Sequence, residues 1–171
     1  MKGGSAGHIR VGGGPTAYAR AMTYEHLFTT ANALALLCWL PLILAPRSRL
    51  SIRLTATPLL PLGFALVYVV LVGVMLAVPG TGGMDSLASL REGFSRDAVL
   101  LLAWVHYLSF DMFVGFWELR DSRRLDLSPW LVAPCLVLTL MLGPSGLLAY
   151  CLLRRILRGS VAFTLPSPAG A

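Results

Sequence analysis

The sequence predicts an all-α polytopic membrane protein, a bundle of four transmembrane helices, and three observations carry that prediction. Hydrophobic residues make up 56% of the 171 residues and charged residues only 13%, against roughly 25% charged in ordinary soluble domains. With a mean hydropathy of +0.73, there is too little charge to solvate a compact surface. The charges also divide the chain into apolar runs of about 20 residues, the length an α-helix needs to cross about 30 Å of hydrocarbon. Only closed backbone hydrogen bonding survives in lipid, so these runs are helices rather than open strands. Three cysteines exclude a secreted disulfide scaffold, and the apolar content excludes a disordered chain.

Reading between charges places the spans at roughly 27–45, 58–78, 98–118 and 130–152. The connections Arg47 to Thr57 and Leu119 to Pro129 are short, which predicts antiparallel hairpins of spans one with two and three with four. Between spans two and three, Pro79 to Asp97 carries glycines at 80, 82 and 83 and then SLASLREGF, which suits a short interfacial helix. Residues 1–24 form a glycine-rich, disordered N-terminal extension, 25–158 the membrane domain and 159–171 a flexible tail. The GGG at 12–14 has no GK[ST] sequel and is no phosphate loop. The extension lacks the apolar core of a signal peptide, and Met22 is a second candidate start.

Net charge is +6, but the 14 basic residues sit at membrane edges, so anionic lipid headgroups rather than nucleic acid are the expected counter-charge. With four spans the termini and middle loop carry eight Lys and Arg and the short loops six, so the positive-inside rule returns no orientation. The expected location is a multi-pass position in a bacterial inner membrane or plastid envelope.

The third span, AVLLLAWVHYLSFDMFVGFWELR, carries the polar residues. At 100° per residue, Trp104, Tyr107, Asp111 and Glu118 lie along one stripe with Gly115 beside them, and His106, Phe110, Phe113 and Trp117 along a second. His106 and Asp111 point about 140° apart, so they form no local pair and need partners from other helices or a substrate lying across the helix. An aspartate at this depth costs about 2.5–3.5 kcal/mol on insertion scales and therefore faces the bundle interior. Burial favours neutral side chains, a protonated Asp111 able to give a proton and an unprotonated His106 able to take one. Both residues also have a plain reading as interhelical glue, although Ser, Thr or Asn would serve that role at lower cost.

Aromatic side chains have their own plain reading as packing and interface anchors, which suits Trp117 and Trp130 at the predicted edges. Trp104, Tyr107 and Phe110, with Phe113, are candidates for the wall of a site for a flat conjugated ligand. In the fourth span Pro144 removes a backbone donor while Gly143 and Gly146 allow close approach, which predicts a kink or local unwinding, and Pro134 adds a second weak point. Gly143, Pro144, Ser145, Gly146 and Tyr150 there are candidate ligand contacts. Asn32 in span one is a candidate interhelical donor and ligand contact, and Ala31 with Ala35 makes a small-xxx-small match. His8, His26 and His106 give no HxxxH pattern, and Cys38, Cys135 and Cys151 no CxxC, so no metal site and no cofactor is expected.

The run LAWVHYLSFDMFVGFWELRDSRR, followed by PWLVAPCLVLTLMLGPSGLLAYCLLR, resembles the family related to the plant abscisic-acid-deficient 4 protein. The pattern is a WxHYLxFDLFxG block, a basic loop, and a P-C-L run ending in GPxGLLxY. It matches at Trp104, His106, Tyr107, Leu108, Phe110, Asp111, Phe113 and Gly115, then at Pro134, Cys135, Leu136, Gly143, Pro144, Gly146, Leu147, Leu148 and Tyr150. Ala103 stands where a glycine is expected, Met112 where a leucine is expected, and the glycine-rich N-terminus has no counterpart.

The resemblance implies conversion of an epoxy-carotenoid to an allenic alcohol, the step from violaxanthin to neoxanthin. Opening the epoxide needs a proton given to its oxygen and one taken from the adjacent polyene carbon. Asp111 as acid and His106 as base suit those two roles without a redox cofactor. The expected ligand is a carotenoid or another isoprenoid, in a protein that works alone, as a homo-oligomer or beside a carotenoid-pathway enzyme. A non-catalytic carotenoid-binding or scaffold subunit is the alternative. A small proton-coupled transporter is the third, resting on the short helices and one intramembrane carboxylate.

Overall fold

The computed structural model describes residues 15–77, 80 and 82–161. Among them are seven helices and no strand: α1 (Pro15–Leu44), α2 (Arg49–Ala56), α3 (Leu59–Ala77), α4 (Leu87–Phe94), α5 (Asp97–Arg124), α6 (Pro129–Leu142) and α7 (Pro144–Arg158). Three of these, over Ala21–Leu44, Leu59–Ala77 and Asp97–Arg124, are long and apolar enough to cross a membrane. Helix α1 begins at Pro15, so it already includes 15–24, which composition alone assigns to the extension. The rest of that extension, residues 1–14, lies outside the described residues, as do 162–171 of the tail and 78, 79 and 81 of the middle loop.

Local chemistry sets the short helices. Ser48 caps α2, its Oγ accepting from the Ser51 amide at 3.1 Å, and Ser86 caps α4 by accepting from Ser89 at 3.1 Å. Helix α4 forms within SLASLREGF, where a short helix is expected.

Helix α5 is the hub, and every other helix packs on it. Its buried positions Leu101, Val105, Leu108, Met112, Phe116 and Leu119 recur every three or four residues and meet Trp39 and Leu42 of α1, Phe64 of α3 and Leu136 of α6 in one core. Contacts along the axes fix directions. Helix α1 runs parallel to α5, since Trp104 meets Asn32 and Arg123 meets Pro46. Helix α3 runs antiparallel, with Ser109 against Pro61 and His106 against Tyr68. Helix α3 packs chiefly on α5, so the expected hairpin of spans one and two is replaced by two crossings placed separately on α5.

The largest departure from the sequence prediction lies at the fourth span. Instead of one helix over 130–152, the chain forms α6, reverses at Gly143 and returns as α7. Thr139 of α6 faces Glu118, and the tip residue Gly143 faces Asp111. Helix α7 then comes back along α5, with Tyr150 and Arg154 at Asp121 and Arg158 at Leu125. Both ends of this hairpin therefore lie at the C-terminal end of α5. At 1.5 Å per residue each arm is about 20 Å long, so the tip stands inside the hydrocarbon without crossing it.

Gly143 and Gly146 make this reversal possible. Gly143 has φ +40, which an L side chain rarely adopts. A Cβ on Gly146 would stand 2.1 Å from the Thr139 backbone amide nitrogen, so only glycine lets the two arms touch. Apolar burial gives little advantage over lipid tails, and such close approach is what holds helices together in a membrane.

Candidate functional site

The site grows out of the helix break. Pro144 has no N–H to give to the carbonyl four residues earlier, that of Leu140. Tyr107 of α5 supplies the missing donor, its phenol donating to the Leu140 carbonyl at 3.2 Å. The same phenol stands beside the Asp111 carboxylate. Asp111 itself lies under the turn, for a Cβ added to Gly143 would be 2.6 Å from Asp111 Oδ1. Its other oxygen, Oδ2, is buried and completes no hydrogen bond with any described residue.

Along α5 toward the hairpin's open end, two more acids are buried. Glu118 has no exposed surface, and its two carboxylate oxygens lie 2.9 and 3.0 Å from Thr139 Oγ1 on α6. Asp121 accepts from Tyr150 Oη at 2.8 Å and pairs with Arg154 Nε at 3.2 Å, both partners on α7. Each of these two acids has a polar partner on the hairpin it holds. Asp111, deepest of the three, is the one with an oxygen left bare.

Stripe geometry sorted the predicted residues onto faces as the structure does. Trp104, Tyr107, Asp111 and Glu118 all face α1 or the α6–α7 hairpin, together with Gly143, Gly146 and Tyr150. Trp104 Nε1 donates to Asn32 Oδ1 at 3.1 Å, so Asn32 serves α5 through its oxygen and gives its own N–H to Phe28. Trp104 also stacks on Tyr107, ring centres 5.3 Å apart. Pro144 and Ser145 are exposed at the hairpin tip.

His106, Phe110 and Phe113 are elsewhere. His106 lies exposed on the α3 side, its ring 5.4 Å from Tyr68 and 4.6 Å from Phe110. Phe110 and Phe113 are more than half exposed on the same side. The expected acid and base are thus on opposite faces of α5, with the helix between them.

Thr139 stands out in the sequence as a polar group near the kink, and the structure sets it against Glu118; the Asp121–Arg154 pair and Arg123 did not stand out. Arg123 donates to the Pro46 carbonyl at 3.0 Å through Nε and to Thr55 Oγ1 at 2.6 Å, fastening the α1–α2 corner to α5. Charges at the end of an apolar run read as membrane caps, which is why the Asp121–Arg154 pair stayed hidden. Asp121 lies two residues past the buried Leu119 and is itself buried, which its place at the end of the run does not reveal. Among the described residues no cluster of three or more His, Cys, Asp or Glu is arranged to hold a metal ion.

These features define a class, a helical polytopic membrane protein with a buried acid under a broken, folded-back helix. The chain belongs to the ABA DEFICIENT 4-like family, whose model, ABA4-like, matches residues 26–150. The match runs from α1 to Tyr150 of α7 and so contains Asp111, Glu118, Asp121, Thr139 and Tyr150, while Arg154 lies just beyond it. That membership puts the protein in the setting of the carotenoid and abscisic-acid pathway. No curated protein and no solved structure matches the chain.

Proposed function

We propose that the protein acts within the membrane on an oxygenated carotenoid, or an isoprenoid of similar length, as an intramolecular isomerase with Asp111 as its proton-handling residue. One observation carries the reading: Asp111, whose carboxylate lies beside the Tyr107 phenol, has a buried Oδ2 that completes no hydrogen bond with any described residue. A buried polar atom left unpaired costs about 1–3 kcal/mol, so a carboxylate retained purely as interhelical glue would be expected to face a donor on a neighbouring helix, as Glu118 faces the Thr139 hydroxyl. A bare oxygen beside a helix break is available to a substrate.

With His106 on the far face, one carboxyl group can serve both ends of the reaction. Its hydroxyl gives a proton to the epoxide oxygen, the C–O bond opens, and the carbonyl oxygen of the same group takes a proton from the adjacent polyene carbon as the new double bond forms. Asp111 ends as it began, nothing is oxidised or reduced, and product is an isomer of substrate. Tyr107, fixed by the Leu140 carbonyl, orients the carboxyl, and Trp104 stacked on it gives a flat surface for an end ring.

Expression in carotenoid-producing cells followed by chromatography of the pigments tests this. A new pigment isomer that disappears with Asp111→Asn is the expected result, and an unchanged profile with every epoxy or hydroxy precursor supplied would sink the proposal.

A second reading, a non-catalytic carotenoid-binding or scaffold subunit, is favoured by the separation of His106 from Asp111. It predicts pigment or a pathway enzyme co-purifying with the protein and no conversion by the purified chain.

A further inference from the structure

The face of α5 turned toward α2 and α3 carries a different chemistry. A cleft of about 540 Å³ opens where the α2–α3 corner meets the C-terminal third of α5, lined by Thr55, Pro58, Phe113, Trp117, Arg120 and Arg124. Asp121 also borders it, but its carboxylate is engaged by Tyr150 and Arg154. Arg120 is exposed there and has no hydrogen bond or ion pair with any described residue.

The cleft does not end at the aromatic rings. An adjoining crevice of about 260 Å³ runs along α3 and α5 past Pro61, Leu62, Ala65 and Phe110, and it shares Pro58 and Phe113 with the cleft. Its one hydroxyl, that of Ser109, is already committed to the Pro61 carbonyl at 2.9 Å. The crevice is therefore apolar in effect. From Arg124 to Phe110 the groove follows α5 for about 20 Å, somewhat more than half the hydrocarbon thickness of about 30 Å.

We infer that this groove is a binding site for one anionic phospholipid, its phosphate at Arg120, with Arg124 lining the same cleft, and one acyl chain along Phe113, Phe110 and Leu62. Guanidinium forks suit phosphate oxygens, and arginines at the headgroup level of a groove between helices are how membrane proteins select acidic lipids. A carotenoid has no group for the arginines, and free phosphate has none for the crevice. An anionic lipid uses both. The inference is independent of the carotenoid reading.

Native mass spectrometry of the full chain in detergent tests it, with phosphatidylglycerol and phosphatidylcholine of the same acyl chains added in equal amounts. Phosphatidylglycerol is expected to stay bound in preference to phosphatidylcholine. Arg120→Gln is expected to weaken that retention about fivefold, the worth of one basic residue at an acidic lipid surface. Ala65→Trp, which fills the crevice without changing charge, is expected to weaken it too, whereas Arg91→Gln on α4 leaves it unchanged. Equal retention of the two lipids, indifference to both Arg120→Gln and Ala65→Trp, full displacement by inorganic phosphate, or pigment held in place of phospholipid would each overturn the assignment.

Discussion

The two faces of α5 differ in how they treat polarity. Toward α6 and α7 the helix presents Tyr107, Asp111, Glu118 and Asp121, all matched to a folded-back hairpin except for one carboxylate oxygen. Toward α3 it presents His106, Phe110 and Phe113, an aromatic row with open space beside it, and Trp117 at the row's end reaches across to pack edge-on against Tyr150 of α7. The first face is specified by hydrogen bonds and close glycine contacts, so it tolerates little change. The second is specified by shape and lipid contact. On the proposed reading a single helix separates a position for proton chemistry from a surface for amphiphiles, and substitutions on the two sides should differ in kind.

The largest effect is expected at the hairpin. Asp121→Ala removes the partner of a buried guanidinium, 3% exposed at Arg154, and should cost about 3–5 kcal/mol. Denaturant unfolding in detergent measures it, and a loss below about 1 kcal/mol would mean that the hairpin is not held this way. Gly146→Val should follow with about 1–3 kcal/mol from overpacking, because its side chain meets the Thr139 backbone. Tyr107→Phe frees the Leu140 carbonyl and should cost about 1 kcal/mol in the same assay. At the far end of the scale, Phe113→Leu on the open face should leave stability within about 0.5 kcal/mol of wild type. Equal losses at Gly146 and Phe113 would erase the distinction between the faces.

Topology supplies a further test. With three crossings and a re-entrant hairpin, Arg47, Arg49, Arg53, Arg120, Arg123, Arg124, Arg154, Arg155 and Arg158 share one side, while Arg20, Arg91 and Arg96 lie at the other. The balance that four spans left undecided now favours one answer under the positive-inside rule. Single cysteines in an otherwise cysteine-free chain, placed at Arg49 and at Ser160, should both label from the inside. One at Ser89 should label from outside. Opposite labelling of the Arg49 and Ser160 positions would restore a through-going fourth span.

Much of this was legible in the sequence, and the limits have physical causes. The three crossing helices, the short helix at 87–94 and the two stripes on α5 all follow from periods and charge gaps, which are local properties. The break at Gly143–Pro144 was readable as a kink. Its growth into a reversal was not, because the apolar run from Leu127 to Leu153 is long enough to span and nothing local distinguishes a bend from a fold-back. That choice is made by contacts between distant residues, Gly146 with Thr139 and Arg154 with Asp121. Asp111 stood out as the one acid deep inside an apolar run. His106 stood out equally as a base, and the 140° between them already placed the two on different faces.

The central claim is that proton chemistry belongs to the Asp111 face alone. Pigment analysis of carotenoid-producing cells expressing wild type, Asp111→Asn or His106→Ala, at matched levels of inserted protein, addresses it most directly. Conversion lost by at least about 100-fold with Asp111→Asn, the scale of a proton-transfer residue, and largely kept with His106→Ala is the predicted result. Equal loss with both variants, or conversion that survives Asp111→Asn, would contradict it.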